Sequence, residues 1–107
     1  MGYRYKQMYT RKQVCGCMDL YNAINNTLLV FKEFTPQIPE DIVITAFNKL
    51  SVDINKLRDC GISLDDILDI QQALNEAYNS VGTKEYDYYI NRTINVLSEK
   101  VNKCTML

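Results

Sequence analysis

Apolar residues in this chain recur at steps of three and four, the spacing that stacks side chains on one face of a helix. From Val14 the steps lead through Cys17, Tyr21, Ile24 and Leu28 to Phe31, and Leu20 and Phe34 widen the stripe. A stripe of that width belongs to a helix packed against several others, not to a two-stranded coil. The spacing predicts a helix over 11–34, roughly 35 Å long at about 1.5 Å per residue. Thr10-Arg11-Lys12-Gln13 marks its start. There the side chains of Thr10 and Gln13 can each accept the other's backbone N–H.

Thr35-Pro36-Gln37-Ile38-Pro39 ends this helix, because a proline biases the residue before it away from the helical region. Pro39 suits the first position of the next helix, and Glu40 and Asp41 favour its positive end. Val43, Phe47, Leu50, Ile54 and Leu57 form a second seam that Gly61 terminates. Ile42, Ile44 and Ala46 flank the seam and make the front of this helix apolar nearly all round. Such a segment is expected to be deeply buried or part of an interface.

Ile62-Ser63-Leu64-Asp65-Asp66-Ile67 carries the clearest start signal. Ser63 is the expected N-cap, Asp66 stands three residues later, and Ile62 can staple onto Ile67. The third helix then buries Ile67, Ile70, Leu74, Ala77, Tyr78 and Val81 and turns Asp65, Asp69, Gln72 and Glu76 outward, until Gly82 stops it. Thr83 is the expected cap of a fourth helix with the seam Tyr86, Ile90, Ile94, Leu97, Val101 and Cys104. Short connections favour antiparallel neighbours. The expected fold is therefore all-α: a four-helix, up-down-up-down antiparallel bundle over 11–107, preceded by a short basic, tyrosine-rich arm over 1–10.

A chain of 107 residues can bury roughly two-thirds of its unfolded surface, enough for one domain without a staple. The longest apolar run, Leu28–Phe31, is far short of the roughly 20 residues that cross a bilayer, and no apolar run follows the basic N-terminus. A cytoplasmic location with reduced thiols is the expectation. The abundance of Asn, Ile, Tyr and Lys is a bias that accompanies AT-rich genomes, phage and viral ones among them.

The chain has no histidine. That excludes Ser-His-Asp and Cys-His catalysis, His-containing zinc sites and the Glu-x-x-His di-iron site of bundles. A glycine-rich phosphate loop is also missing from the sequence. Cys15-Gly16-Cys17 suggests a metal or redox pair, but helix neighbours two apart point in nearly opposite directions and cannot share an ion. Cys17, Cys60 and Cys104 read as small buried thiols, and no metal or cofactor is expected. Cys104-Thr105-Met106-Leu107 matches a C-terminal prenylation signal, but the motif is short and the core stripe already explains Cys104, so packing is preferred to a lipid anchor.

The net charge of −1 is unevenly spread. Residues 1–13 hold Arg4, Lys6, Arg11 and Lys12 and no acid, whereas 40–79 holds eight acids against Lys49, Lys56 and Arg58. Arg4, Lys6, Arg11 and Lys12 can neutralise phosphates while Tyr3, Tyr5 or Tyr9 stacks on a base, so nucleic acid or a nucleotide is one candidate ligand. The stretch Tyr9-Thr10-Arg11-Lys12-Gln13-Val14-Cys15, with Met18 and Leu20, resembles the opening of the MerR and excisionase type of helix-turn-helix. The resemblance implies a DNA-binding regulator with a turn near Asp19. Asp19 stands where that family has a turn glycine, and Asn25 where it has an apolar residue.

The leading expectation is a non-catalytic protein–protein interaction module, self-associating, of the kind a phage or virus directs at a host factor. Leu29, Val30, Ile42 and Ile44 are its candidate partner-binding residues, being apolar positions that a single small bundle does not need for its core.

Overall fold

The computed structural model describes residues 18–105, with side chains to 102. Four helices follow in order: α1 (Met18–Phe31), α2 (Glu40–Asn55), α3 (Leu64–Asn79) and α4 (Tyr86–Thr105). A 3-10 segment, Lys56–Cys60, extends α2. Each helix packs on two others, so that α1, α2, α3 and α4 close a ring in chain order. Cross-helix contacts show the alternating direction. Asp66 and Asp69 near the start of α3 meet Lys100 near the end of α4, while Glu76 further along α3 meets Arg92 further back on α4. The architecture is the expected antiparallel four-helix bundle.

The predicted seams form its core. Ile24, Leu28 and Phe31 of α1 are buried, as are Val43, Phe47, Leu50 and Ile54 of α2. Ile67, Ile70, Leu74 and Ala77 of α3 and Tyr86, Ile90, Leu97 and Val101 of α4 complete it. Ile94 is only partly buried, and Thr93 beside it is fully buried. Thr93 tolerates this because its hydroxyl donates to the Tyr89 carbonyl one turn back, 2.9 Å away. One pole is aromatic. Phe31 stacks on Phe34 at 4.8 Å and approaches Phe47 at 4.7 Å, and Phe47 meets Tyr78 edge-on at 5.3 Å.

The helix ends follow the sequence with small shifts. α1 stops at Phe31, not Phe34, because Lys32, Glu33 and Phe34 donate to carbonyls three residues back and tighten the chain out of the α-helix. That turn swings Phe34 over the aromatic pole. Helix α1 is continuous through Asp19 and Asn25, so no turn follows Asp19. The proposed start of this helix at Arg11, the arm and Gly16 lie outside the described residues. Pro39 is the N-cap of α2 and not its first residue: its ψ of 140° is non-helical, and its carbonyl accepts from Ile42 and Val43. Gly61 (φ 96°) and Gly82 (φ 88°) take the left-handed conformation that stops a helix and that side chains resist. Ser63 caps α3 as predicted, its hydroxyl accepting from the Asp66 N–H at 3.2 Å. Thr83 does not cap α4. It lies two residues before the N-cap position, where its hydroxyl donates to the Ser80 carbonyl and accepts from the Glu85 N–H, closing the loop instead.

Cys60 is buried and disulfide-bonded, which corrects the expectation of a reduced thiol there. Its partner sulfur is outside the described side chains. The helix face of a cysteine is legible in the sequence, but which cysteines come together from distant parts of the chain is not.

Candidate functional site

The candidate partner-binding residues are all exposed: Leu29 by 45%, Val30 by 60%, Ile42 by 52% and Ile44 by 38%. They do not share one face. Successive helix positions turn by about 100°, so Leu29 and Val30 leave α1 in divergent directions, and Ile42 and Ile44 leave α2 on opposite flanks of its seam. The all-round apolar front of α2 is therefore only partly buried. Residues that the sequence reading passed over join the exposed set. Leu64 and Leu68 are neighbours one turn apart on the outer face of α3, Val52 projects from α2, and Tyr88 from α4. The candidate nucleic-acid residues Tyr3, Arg4, Tyr5, Lys6, Arg11 and Lys12, and the lipidation candidate Cys104, lie outside the described side chains.

Concavities indent the bundle among the described residues. The first lies between α2 and α3 and holds about 430 Å³. Ile44, Phe47, Asn48 and Ser51 of α2 line it, and Gln71, Leu74, Asn75 and Tyr78 of α3 face them. Both sets follow helix spacing, one strip on each helix. Its far end is a polar clasp. Gln71 Nε2 donates to the Ser51 carbonyl at 2.8 Å and to Asn55 Oδ1 at 2.9 Å, while the Ser51 hydroxyl donates to Gln71 Oε1 at 2.8 Å. The second, of similar volume, lies under the α1–α2 and α3–α4 connections, among Pro36, Ile38, Val43, Val81 and Gly82.

The third is a charged niche of about 190 Å³ between α3 and α4. Lys100 Nζ sits 3.1 Å from Asp69 and 3.4 Å from Asp66, and Arg92 pairs with Glu76. The hydrogen bond to Asp69 raises the Lys100 pKa most, the charge of Asp66 adds to it, and partial burial opposes it. A lysine held in its charged form between carboxylates ties helices together and is poorly suited to act as a base. Tyr86 is the other perturbed group. Burial, and secondarily the charge of Asp87, pushes its phenol above the ordinary tyrosine range. Its hydroxyl donates to the Phe31 carbonyl at 2.7 Å and joins the start of α4 to the end of α1.

Among the described residues no group of three or more His, Cys, Asp or Glu side chains is placed to hold a metal ion. Nor is any described helix long and apolar enough to cross a membrane. Comparison with family profiles, with curated proteins and with solved structures returns no match to this chain.

Proposed function

We propose that this bundle is a non-catalytic interaction module that binds another protein and associates with itself. The observation that supports the reading is the apolar surface left on the outside: Val30, Leu68 and Ile42 are each more than half exposed, although the core is already closed by Ile24, Leu28, Leu50, Ile54, Ile67 and Ile90. Exposed side chains of this size offer apolar area for a protein partner to bury. The titratable groups favour the same reading, since Lys100, Asp66, Asp69, Arg92 and Glu76 are engaged in ties between α3 and α4. A phage or viral accessory protein acting on a host factor fits the chain's length and residue bias.

The test replaces Leu29, Val30, Ile42 and Ile44 together by serine and compares capture of proteins from the native cell. All four are exposed, so the helical circular dichroism is expected to persist while specific capture is lost. An equally helical variant that captures the same proteins overturns the assignment of these residues.

A second reading, nucleic-acid or nucleotide binding through residues 1–13, draws on their four cations and absence of acids. It requires binding that weakens steeply with salt and disappears when Arg4, Lys6, Arg11 and Lys12 are neutralised. No binding at low salt ends it.

A further inference from the structure

The groove between α2 and α3 differs from the rest of the surface in its chemistry. Nearly a quarter of the chain is charged, but none of the eight groove residues is. Phe47 and Leu74 supply a buried apolar floor, with the Tyr78 ring edge-on to Phe47 at 5.3 Å and Ile44 at the margin. The Asn48 and Asn75 amides stand exposed on opposite lips, one on each helix. Among the described residues neither amide hydrogen-bonds to anything, and the Tyr78 hydroxyl has no partner either.

The contrast with Gln71 is informative. Both Gln71 N–H groups and one Oε1 lone pair are spent on Ser51 and Asn55. That clasp ties the two helices together at one end of the groove. A concavity of about 430 Å³, with an apolar floor and a few convergent polar groups, has the size and make-up of a small-molecule site.

We infer that the α2–α3 groove binds a small uncharged ligand with a flat apolar body and an amide-like edge. The body lies on Phe47, Leu74 and Tyr78, and the edge exchanges hydrogen bonds with Asn48 and Asn75. A formal charge is disfavoured because no lining group can compensate it and the floor would strip its water. This site goes beyond protein association and does not depend on it.

The experiment titrates the full-length, isotope-labelled chain with benzamide, benzoate and benzylamine, following side-chain amide and methyl resonances by NMR. Benzamide is expected to give saturable shifts at the Asn48 and Asn75 amides and the Leu74 methyls. Benzoate and benzylamine are expected to bind at least tenfold more weakly. Asn75→Trp, which fills the mouth, should abolish the benzamide response. Asn48→Lys, a change at an exposed lip position, should weaken it at least tenfold and serves as the second variant if the tryptophan perturbs folding. Absence of saturable benzamide shifts, equal binding of the charged probes, or an undiminished response in both variants would overturn the inference.

Discussion

Replacing Tyr86 by phenylalanine removes one oxygen and keeps the ring. The ring is buried, so the variant retains its packing, and what disappears is the 2.7 Å hydrogen bond to the Phe31 carbonyl. A buried carbonyl left wholly without a partner costs about 1 to 3 kcal/mol. The Phe31 carbonyl, however, also accepts from the Phe34 N–H at 3.0 Å, so it is not orphaned. The loss should therefore sit near the net value of an ordinary hydrogen bond, about 1 kcal/mol. Tyr86→Ala removes the ring as well and should cost about 3 to 5 kcal/mol, as aromatic truncations in cores do. Urea unfolding followed by circular dichroism measures both variants.

The pH dependence gives an independent check. Burial raises the Tyr86 pKa in the folded state above the value near 10 of a free tyrosine. A raised folded pKa means that the stabilisation is fully present below about pH 10 and is lost as pH rises through the folded value. The advantage of the native chain over Tyr86→Phe should be constant from pH 6 to about 9.5 and shrink above it. Every other ionisable group is common to both proteins, so its contribution largely cancels in the difference. If Tyr86→Phe matches the native chain within about 0.3 kcal/mol, or if the difference does not change with alkaline pH, this hydrogen bond does not join α4 to α1 as described.

Further outcomes follow from other contacts. Leu28→Ala empties a fully buried core position and should cost about 2 to 5 kcal/mol in the same unfolding assay. Gly82→Ala finds open space, its nearest neighbour being Pro36 Cγ at 4.0 Å, but it must adopt a φ of 88°. A loss of about 1 to 2 kcal/mol is expected from backbone strain alone. Ser63→Ala removes the α3 cap and should cost about 1 kcal/mol without altering helicity at low temperature. Alkylation of the unfolded chain without reductant should leave the Cys60 peptide unmodified in a mass spectrum, whereas a labelled Cys60 would contradict the disulfide.

The fold was legible because each seam is long and regular enough to outvote local exceptions, and because Ser63, Gly61 and Gly82 mark their boundaries by mechanisms that act within a few residues. What stayed hidden depends on pairs far apart in the chain. Nothing in the spacing of Ser51, Asn55 and Gln71 pairs them, and only the α2–α3 approach turns them into a clasp. Tyr86 read as a core ring, and its hydroxyl found a carbonyl 55 residues away. Phe34 matched the α1 seam by spacing, but packing on Phe47 rewards leaving the helix early. Of the candidate site, exposure of Leu29, Val30, Ile42 and Ile44 is foreseeable as surplus apolar surface, while their divergence around two helices comes from the rotation of about 100° per residue.

Sedimentation equilibrium of the purified chain over a wide concentration range tests the central claim most directly. An association driven by exposed apolar surface predicts a mass that rises with concentration above the 12.4 kDa of one chain and falls back when Leu29, Val30, Ile42 and Ile44 are replaced by serine. A mass that stays at 12.4 kDa to the highest concentration reached would contradict it.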